Sequence, residues 1–274
     1  MNDENGQPAA PTQPPIAATL RVAGPRRTDS STSSTPNAPL WKSFIAWLWY
    51  GILWCPCYAF SQIWFRYRFS GKANIPLTGP VLLVSNHQSN LDPVLVGLAC
   101  PRQLKFLARQ GLFFFPFNYW IQALGAVPID RERGALAGLR ITLDLLKHGN
   151  AVLVFPEGSR TLDGNLQEML PGFCLLARRS KATIVPLALD GAFASLPRGS
   201  AVIKPHSIGL RFGLPITPSQ FGQLNDEELT KLVTKRIAQE LAAVQQELAS
   251  GPAFAGIFRR PRTNSLLATP AQPA

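Results

Sequence analysis

Apolar and polar positions divide the chain into an alternating middle and two polar, proline-rich ends. Short apolar runs rich in β-branched residues predict strands at Val81–Ser85, Val127–Ile129, Ala151–Phe155, Thr183–Leu189 and Ile208–Phe212. Between them, helical spacing predicts helices over Pro93–Cys100, Ala135–Lys147, Phe173–Ser180 and Glu227–Leu248. The last of these carries an apolar stripe of Leu229, Leu232, Val233, Ile237, Leu241, Val244 and Leu248. Asn225 and Glu228 stand at capping-box spacing before it, and Gly251 follows as a stop signal. Strand and helix in alternation predict an α/β domain with a largely parallel sheet flanked by helices. Pro186 is expected to keep the run around it out of a regular central ladder position.

From Ser43 to Phe65 no residue is charged, a stretch of 23 residues. About 20 apolar residues suffice to cross a hydrocarbon core of about 30 Å. Trp41, Trp47, Trp49, Tyr50, Trp54, Tyr58 and Trp64 lie in or beside it, and Trp and Tyr favour the membrane interface. Pro56 would kink a continuous helix. The segment therefore reads as one kinked transmembrane helix, or as two short helices about Cys55-Pro56-Cys57 that dip into one leaflet. A buried core hairpin is the plainer alternative. Flanking charge gives no orientation: Arg26, Arg27 and Lys42 precede the segment, and Arg66, Arg68 and Lys72 follow it.

Residues 1–39 hold seven prolines and the run from Ser30 to Thr35, and residues 251–274 hold a similar mixture with Arg259, Arg260 and Arg262. Such composition cannot bury a core. The expected organisation is a leader over 1–39, a membrane-associated helical segment over 40–72, a catalytic domain over 73–250 and a flexible tail over 251–274.

Composition sharpens the reading of partners. Charged residues make up only 16% of the chain and hydrophobic ones 46%, which excludes wholesale disorder and fits membrane contact. The net charge of +11 suits an anionic partner: a phosphorylated substrate, an anionic membrane surface or nucleic acid. The cations are spread over many segments and no nucleic-acid motif is present, so nucleic acid is not expected. Four cysteines without a C-x-x-C pair and three scattered histidines exclude an obvious zinc site or disulfide scaffold.

The chemistry gathers where predicted strands end. After Val81–Ser85 come Asn86, His87 and, five residues past the histidine, Asp92-Pro93. In an open α/β sheet, ligand sites form at the carboxyl ends of strands. A turn there lets a carboxylate hold one imidazole nitrogen and leave the other for substrate. An ordinary imidazole, titrating at about 6.5, suits general-base work near neutrality. Asp92 as N-cap with Pro93 at N1, beside an ordinary loop histidine, is the simpler alternative. Next comes Gly125 to Arg133, where Arg131 could clamp a phosphate or pair with Asp130 or Glu132. Then come Phe155-Pro156-Glu157-Gly158-Ser159-Arg160, with Gly158 allowing close backbone approach. Three strand ends are thus expected to bring a histidine, two arginines and a glutamate to one sheet edge, a site for a phosphorylated substrate. G-x-S-x-G, the P-loop motif and G-x-G-x-x-G are all absent. A His-Asp pair without a nucleophile of its own points to a substrate hydroxyl or amine attacking an acyl or phosphoryl group.

These blocks resemble the PlsC-like glycerolipid acyltransferases. Asn86-His87 with Asp92 resembles the family's N-H-x-x-x-x-D block. Gly125, Ile129 and Arg131 resemble G-x-x-x-I-x-R. Phe155 to Arg160 resembles F-P-E-G-T-R with Ser159 for Thr, and Val185-Pro186-Leu187 resembles the fourth block. The likeness runs from about residue 73 to 215. It implies a glycerolphosphate-acyltransferase-like α/β fold. It implies that His87 is the general base, that Asp92 orients it, and that the acceptor hydroxyl attacks the thioester of acyl-CoA or acyl-carrier protein. Arg131, Glu157, Gly158, Ser159 and Arg160 would hold the acceptor, chiefly its phosphate, with Lys105 and Gly125 as further substrate-binding positions. No metal or bound cofactor is implied. The expected reaction converts lysophosphatidate to phosphatidate at a membrane, the inner or cell membrane, with the catalytic domain facing the cytoplasm where soluble donors are. A lyso-ornithine lipid or other lysophospholipid as acceptor keeps the same mechanism. A non-catalytic protein binding anionic lipid or nucleic acid is the alternative outside the family. Phe113 to Phe117, Tyr119 and Trp120 form a candidate membrane or acyl-chain surface. One departure stands out: Leu170-Pro171 precede Gly172 where the family often has basic residues.

Overall fold

The computed structural model describes residues 54–250 apart from 116 and 131–133, and places them all in the compact unit Trp41–Ala274. The leader, the tail, the first part of the aromatic segment and Arg131 therefore lie outside the described residues. A seven-stranded mixed sheet organises the rest, in the order β1-β7-β6-β2-β5-β3-β4. Its strands are β1 (Arg68–Ser70), β2 (Val81–Ser85), β3 (Leu104–Arg109), β4 (Ala126–Ile129), β5 (Ala151–Val154), β6 (Thr183–Asp190) and β7 (Gly209–Phe212). β6, β2, β5, β3 and β4 run parallel; β7 is antiparallel to β6 and parallel to β1.

The strand runs predicted from β-branched composition are all present, within a residue or so at each end. β2 is buried along its whole length and sits between β6 and β5, as an unbroken apolar strand must. Its alternate residues serve opposite faces. Val81 and Leu83 join Leu153, Val185 and Leu187 under helix α2 (Asp92–Ala99). Leu82 and Val84 join Val152, Ile184 and Ala188 under α4 (Gly134–Lys147), α5 (Gly172–Ser180) and α8 (Asp226–Ser250). Remaining helices are α1 (residues 54–65), α3 (Phe117–Ala123), α6 (Ala192–Ser195) and α7 (Pro218–Phe221). The capping box of α8 is formed: Asn225 N donates to Glu228 and Glu228 N to Asn225, at 2.8 and 2.9 Å.

Two strands carried no clear sequence signal. β3 interleaves Lys105 and Arg109 with its apolar residues, and β1 has only three residues, one of them Arg68. Each is held by its neighbours: Phe106 pairs with Leu153 and Ala126, and Arg68 with Gly209. The sheet thus begins inside the segment read as membrane-associated. The expectation for Pro186 is overturned. It lies in β6, near the middle of the sheet, opposite Val84. Ile184 exchanges both backbone bonds with Ile216, and Gly213 N donates to Pro186 O, so that side of β6 faces away from β2. The missing N–H of Pro186 faces the same side, where the chain leaves β7 at Gly213, and no bond to β2 is lost.

α1 runs through Cys55-Pro56-Cys57 without a break, and its described part packs Trp54, Cys57, Tyr58 and Phe65 on the α2 side of the sheet. Among the described residues no helix is long and apolar enough to cross a membrane. α1 leaves Phe60, Ile63 and Trp64 exposed. Its end is tied to Ile208, whose N donates to Phe65 O, and β7 then starts opposite Asp190 at the carboxyl end of β6. The exposed Phe114, Phe115 and Tyr119 follow the carboxyl end of β3. Both exposed apolar segments therefore leave from the sheet end at which β2 delivers His87.

Candidate active site

The site starts from Asn86, the first residue past β2. Its side chain continues the sheet after the ladder stops: Nδ2 donates to Leu189 O at 2.8 Å and Oδ1 accepts from Leu189 N at 2.9 Å. A buried amide with both ends paired fixes where β2 releases the chain. His87 then enters the turn, and Asp92 closes it. Asp92 Oδ2 lies 2.8 Å from His87 Nδ1 and accepts the amides of Gln88 and Ser89 at 2.6 and 2.8 Å. Asp92 is the first residue of α2 and does not cap it, because its carboxylate receives amides from upstream. Its side chain is inaccessible, whereas that of His87 is 18% exposed. A carboxylate on Nδ1 sets the tautomer and leaves Nε2 as the nitrogen that can meet a substrate.

The loop after β5 wraps the same histidine. The Phe155 ring stacks on the imidazole at 3.9 Å between centroids. Thr161 N donates to His87 O at 2.9 Å. Glu157 Oε2 accepts His87 N at 3.3 Å, and Oε1 accepts Gln167 N at 3.4 Å. Burial pushes the Glu157 carboxyl up to about 7; the two amides oppose that rise and the charge of Asp92 adds to it. Gly158 takes φ +72° and donates its N–H to Phe155 O, turning the chain so that Glu157 lies inside while Gly158 and Ser159 are exposed. Arg160 is half-buried beside them.

Three residues that the sequence did not single out complete the turn. Gln88 is buried and reaches Asp190 Oδ1 and Gly164 O, each at 3.2 Å, while accepting Phe193 N. Ser89 Oγ donates to Leu196 O at 2.8 Å. Asp190 ends β6 and is buried. Hydropathy could not find them, since polar residues in a turn normally read as solvated. The usable signal was their position directly after a buried strand.

Other expected residues lie elsewhere. Lys105 is the second residue of β3, paired with Val152, towards the strand starts and away from His87. Gly125 precedes β4 at φ +94°, and a Cβ there would meet Leu104 O at 1.8 Å, so the backbone approach of β3 demands glycine. Arg131 lies outside the described residues, but Ile129 and Asp130 just before it line a pocket of roughly 530 Å³ with Gln110, Pro128, Ala137, Arg140 and Ile141. That pocket sits past the carboxyl ends of β3 and β4, and Arg140 gives it a cation the sequence reading did not name.

Comparisons with known proteins bear on the family and the fold. The family model described as Acyltransferase matches residues 66–190. The chain is 32% identical over 194 residues to a chloroplastic 1-acyl-sn-glycerol-3-phosphate acyltransferase of Arabidopsis thaliana, covering 69% of this chain and 52% of that protein. It is 30% identical over 169 residues to the 1-acyl-sn-glycerol-3-phosphate acyltransferase of Streptococcus pneumoniae, covering 61% of each. It thus spans between about half and three fifths of these relatives' length. The crystal structure of the 1-acyl-sn-glycerophosphate acyltransferase PlsC from Thermotoga maritima superposes with a TM-score of 0.64 at 25% identity, over 78% of this chain and 88% of that one.

Proposed function

This chain belongs to the PlsC-like glycerolipid acyltransferase family, and on that premise we propose that it acylates lysophosphatidate to phosphatidate, with acyl-CoA or acyl-carrier protein as donor. The observation that carries this reading is the His87–Asp92 pair at 2.8 Å, set in a turn between a buried strand and a helix. His87 Nε2 takes the proton of the acceptor hydroxyl as that oxygen attacks the thioester carbonyl. The C–O bond forms, the C–S bond breaks, and the imidazolium returns its proton to the leaving thiolate. Asp92 steadies the imidazolium in between. The thioester arrives activated, so the step needs no metal or bound cofactor. Arg131, Arg160, Ser159 and the backbone at Gly158 hold the acceptor phosphate, for which paired guanidinium groups are suited.

The acceptor is a bilayer lipid, so the domain works at a membrane surface. Support comes from the exposed Phe60, Ile63 and Trp64 of α1 and the exposed Phe114, Phe115 and Tyr119, which leave from the sheet end that carries His87. The expected setting is the inner or cell membrane, with the domain on the cytoplasmic side, where soluble donors are. The test is acyl transfer by the purified, detergent-held protein, given acyl-CoA with lysophosphatidate or lyso-ornithine lipid in parallel and with His87→Ala alongside. Product from lysophosphatidate that disappears in the variant supports the reading. Product only from the other acceptor replaces the substrate and keeps the mechanism. No transfer with either acceptor, acyl-carrier protein included, rejects it.

A further inference from the structure

We propose that Glu157 is a positioning residue that holds the backbone of His87 and does not contact the acceptor. The inference rests on His87 being the base and departs from the expectation that Glu157 binds substrate. Its two oxygens are both engaged inward. One accepts the amide of His87 and the other the amide of Gln167, and the residue is only 8% exposed. A carboxylate is also a poor partner for a phosphate, because like charges repel. The neighbours that the loop does present outward are Gly158 and Ser159.

Glu157 completes a three-part grip on one residue. The loop after β5 holds the His87 ring through Phe155, its amide through Glu157 and its carbonyl through Thr161. Asp92 fixes the imidazole from the other side. Nothing else of His87 is left to orient except Nε2. Through Gln167 the same carboxylate ties the far end of the loop to the histidine, so the loop between Gly158 and Gln167 is pinned at both ends. Full ionisation of Glu157 gives both amides a good acceptor, whereas a proton on either oxygen removes one. The charged group acting on it is Asp92 of α2; His87 and Gln167 reach it through backbone amides.

The test separates positioning from binding by kinetics. Glu157→Gln keeps the shape but turns an N–H₂ group towards one of the two amides. The expected result is a kcat lower by roughly 10- to 100-fold, the cost of a misplaced catalytic group, with the acceptor KM within about twofold of the parent and an undiminished melting temperature. A large rise in acceptor KM at unchanged kcat makes Glu157 a substrate contact and overturns the proposal, as does a variant with unaltered kcat. A second measurement needs no variant. In protein carrying 15N and 13C labels, the Gln167 amide signal should titrate together with a glutamate carboxyl of midpoint near pH 7. Adding lysophosphatidate should leave that carboxyl signal in place. A Gln167 amide indifferent to that midpoint, or a carboxyl signal displaced by acceptor, overturns the proposal. Should the parent protein transfer no acyl group to any acceptor, the functional reading falls, while the Gln167 titration still decides whether the grip exists.

Discussion

Asp92 Oδ2 is a single acceptor for three donors: the His87 ring at 2.8 Å and the amides of Gln88 and Ser89. One oxygen thus shapes the turn and orients the base. The two duties can be separated. In Asp92→Asn the amide oxygen can still take the two backbone donors, but the negative charge opposite the imidazolium is gone. We expect kcat to fall by about 10³- to 10⁴-fold with the fold kept, on the scale seen when a triad carboxylate becomes an amide. His87→Ala should lower kcat by at least about 10²-fold. Turnover assays beside circular dichroism check both.

Asn86 replaces two backbone bonds with one side chain. Asn86→Ala leaves the buried N–H and C=O of Leu189 without those partners. At about 1–3 kcal/mol for each unsatisfied group, a loss of about 2–6 kcal/mol in unfolding free energy is expected. Denaturant titration measures it, and a loss below about 1 kcal/mol would show that the strand ends do not need this bridge.

Glu157 also sets a pH dependence of stability. Its carboxyl sits at about 7 when folded, against an ordinary value of 4.5. A group raised by folding contributes fully below its unfolded value and loses that contribution as pH rises to the folded one. Its contribution to wild-type stability should therefore decline between about pH 4.5 and 7 by on the order of 3 kcal/mol. Glu157→Gln should match the parent at pH 4 and be more stable at pH 8, which thermal melts at the two pH values would show. Equal stability at pH 8 contradicts a buried, strained carboxylate.

Gly125 separates structure from binding in the same way. Gly125→Ala would drive a methyl group against Leu104 O and hold a side chain at φ +94°. The left-handed backbone alone costs about 1–2 kcal/mol, so a loss of at least about 2 kcal/mol is expected, with acceptor KM unchanged in protein kept folded at low temperature. A raised KM without a stability loss would instead favour a substrate role.

Exposed aromatic residues near the site end give a fifth readout. Phe115 is 80% exposed and Phe114 59%. Phe114→Ser with Phe115→Ser should weaken binding to anionic phospholipid vesicles by about tenfold or more, since each buried aromatic side chain is worth about 1.5–3 kcal/mol. Turnover of a short-chain, monomeric acceptor should be unchanged. Unaltered vesicle binding would remove this segment from the membrane surface.

The sequence by itself determined the layers. Unbroken apolar runs such as Val81–Val84 can be satisfied only in the middle of a sheet, and the apolar stripe of α8 can be satisfied only against one. It also brought His87 and Asp92 together, because the six residues between the strand end at Ser85 and the helix start at Asp92 leave a turn too short to separate them. Tertiary structure decided the rest. β3 and β1 exist because neighbours supply the pairing that their own residues do not advertise, and Pro186 is tolerated in mid-sheet because its absent N–H faces away from β2, on the side where the chain leaves β7 at Gly213. The inward turn of Glu157, the Asn86 bridge and the Gln88 network all join residues more than sixty positions apart in the chain. Their partners are chosen by which strand ends the sheet places side by side, and no local pattern of side chains encodes that order.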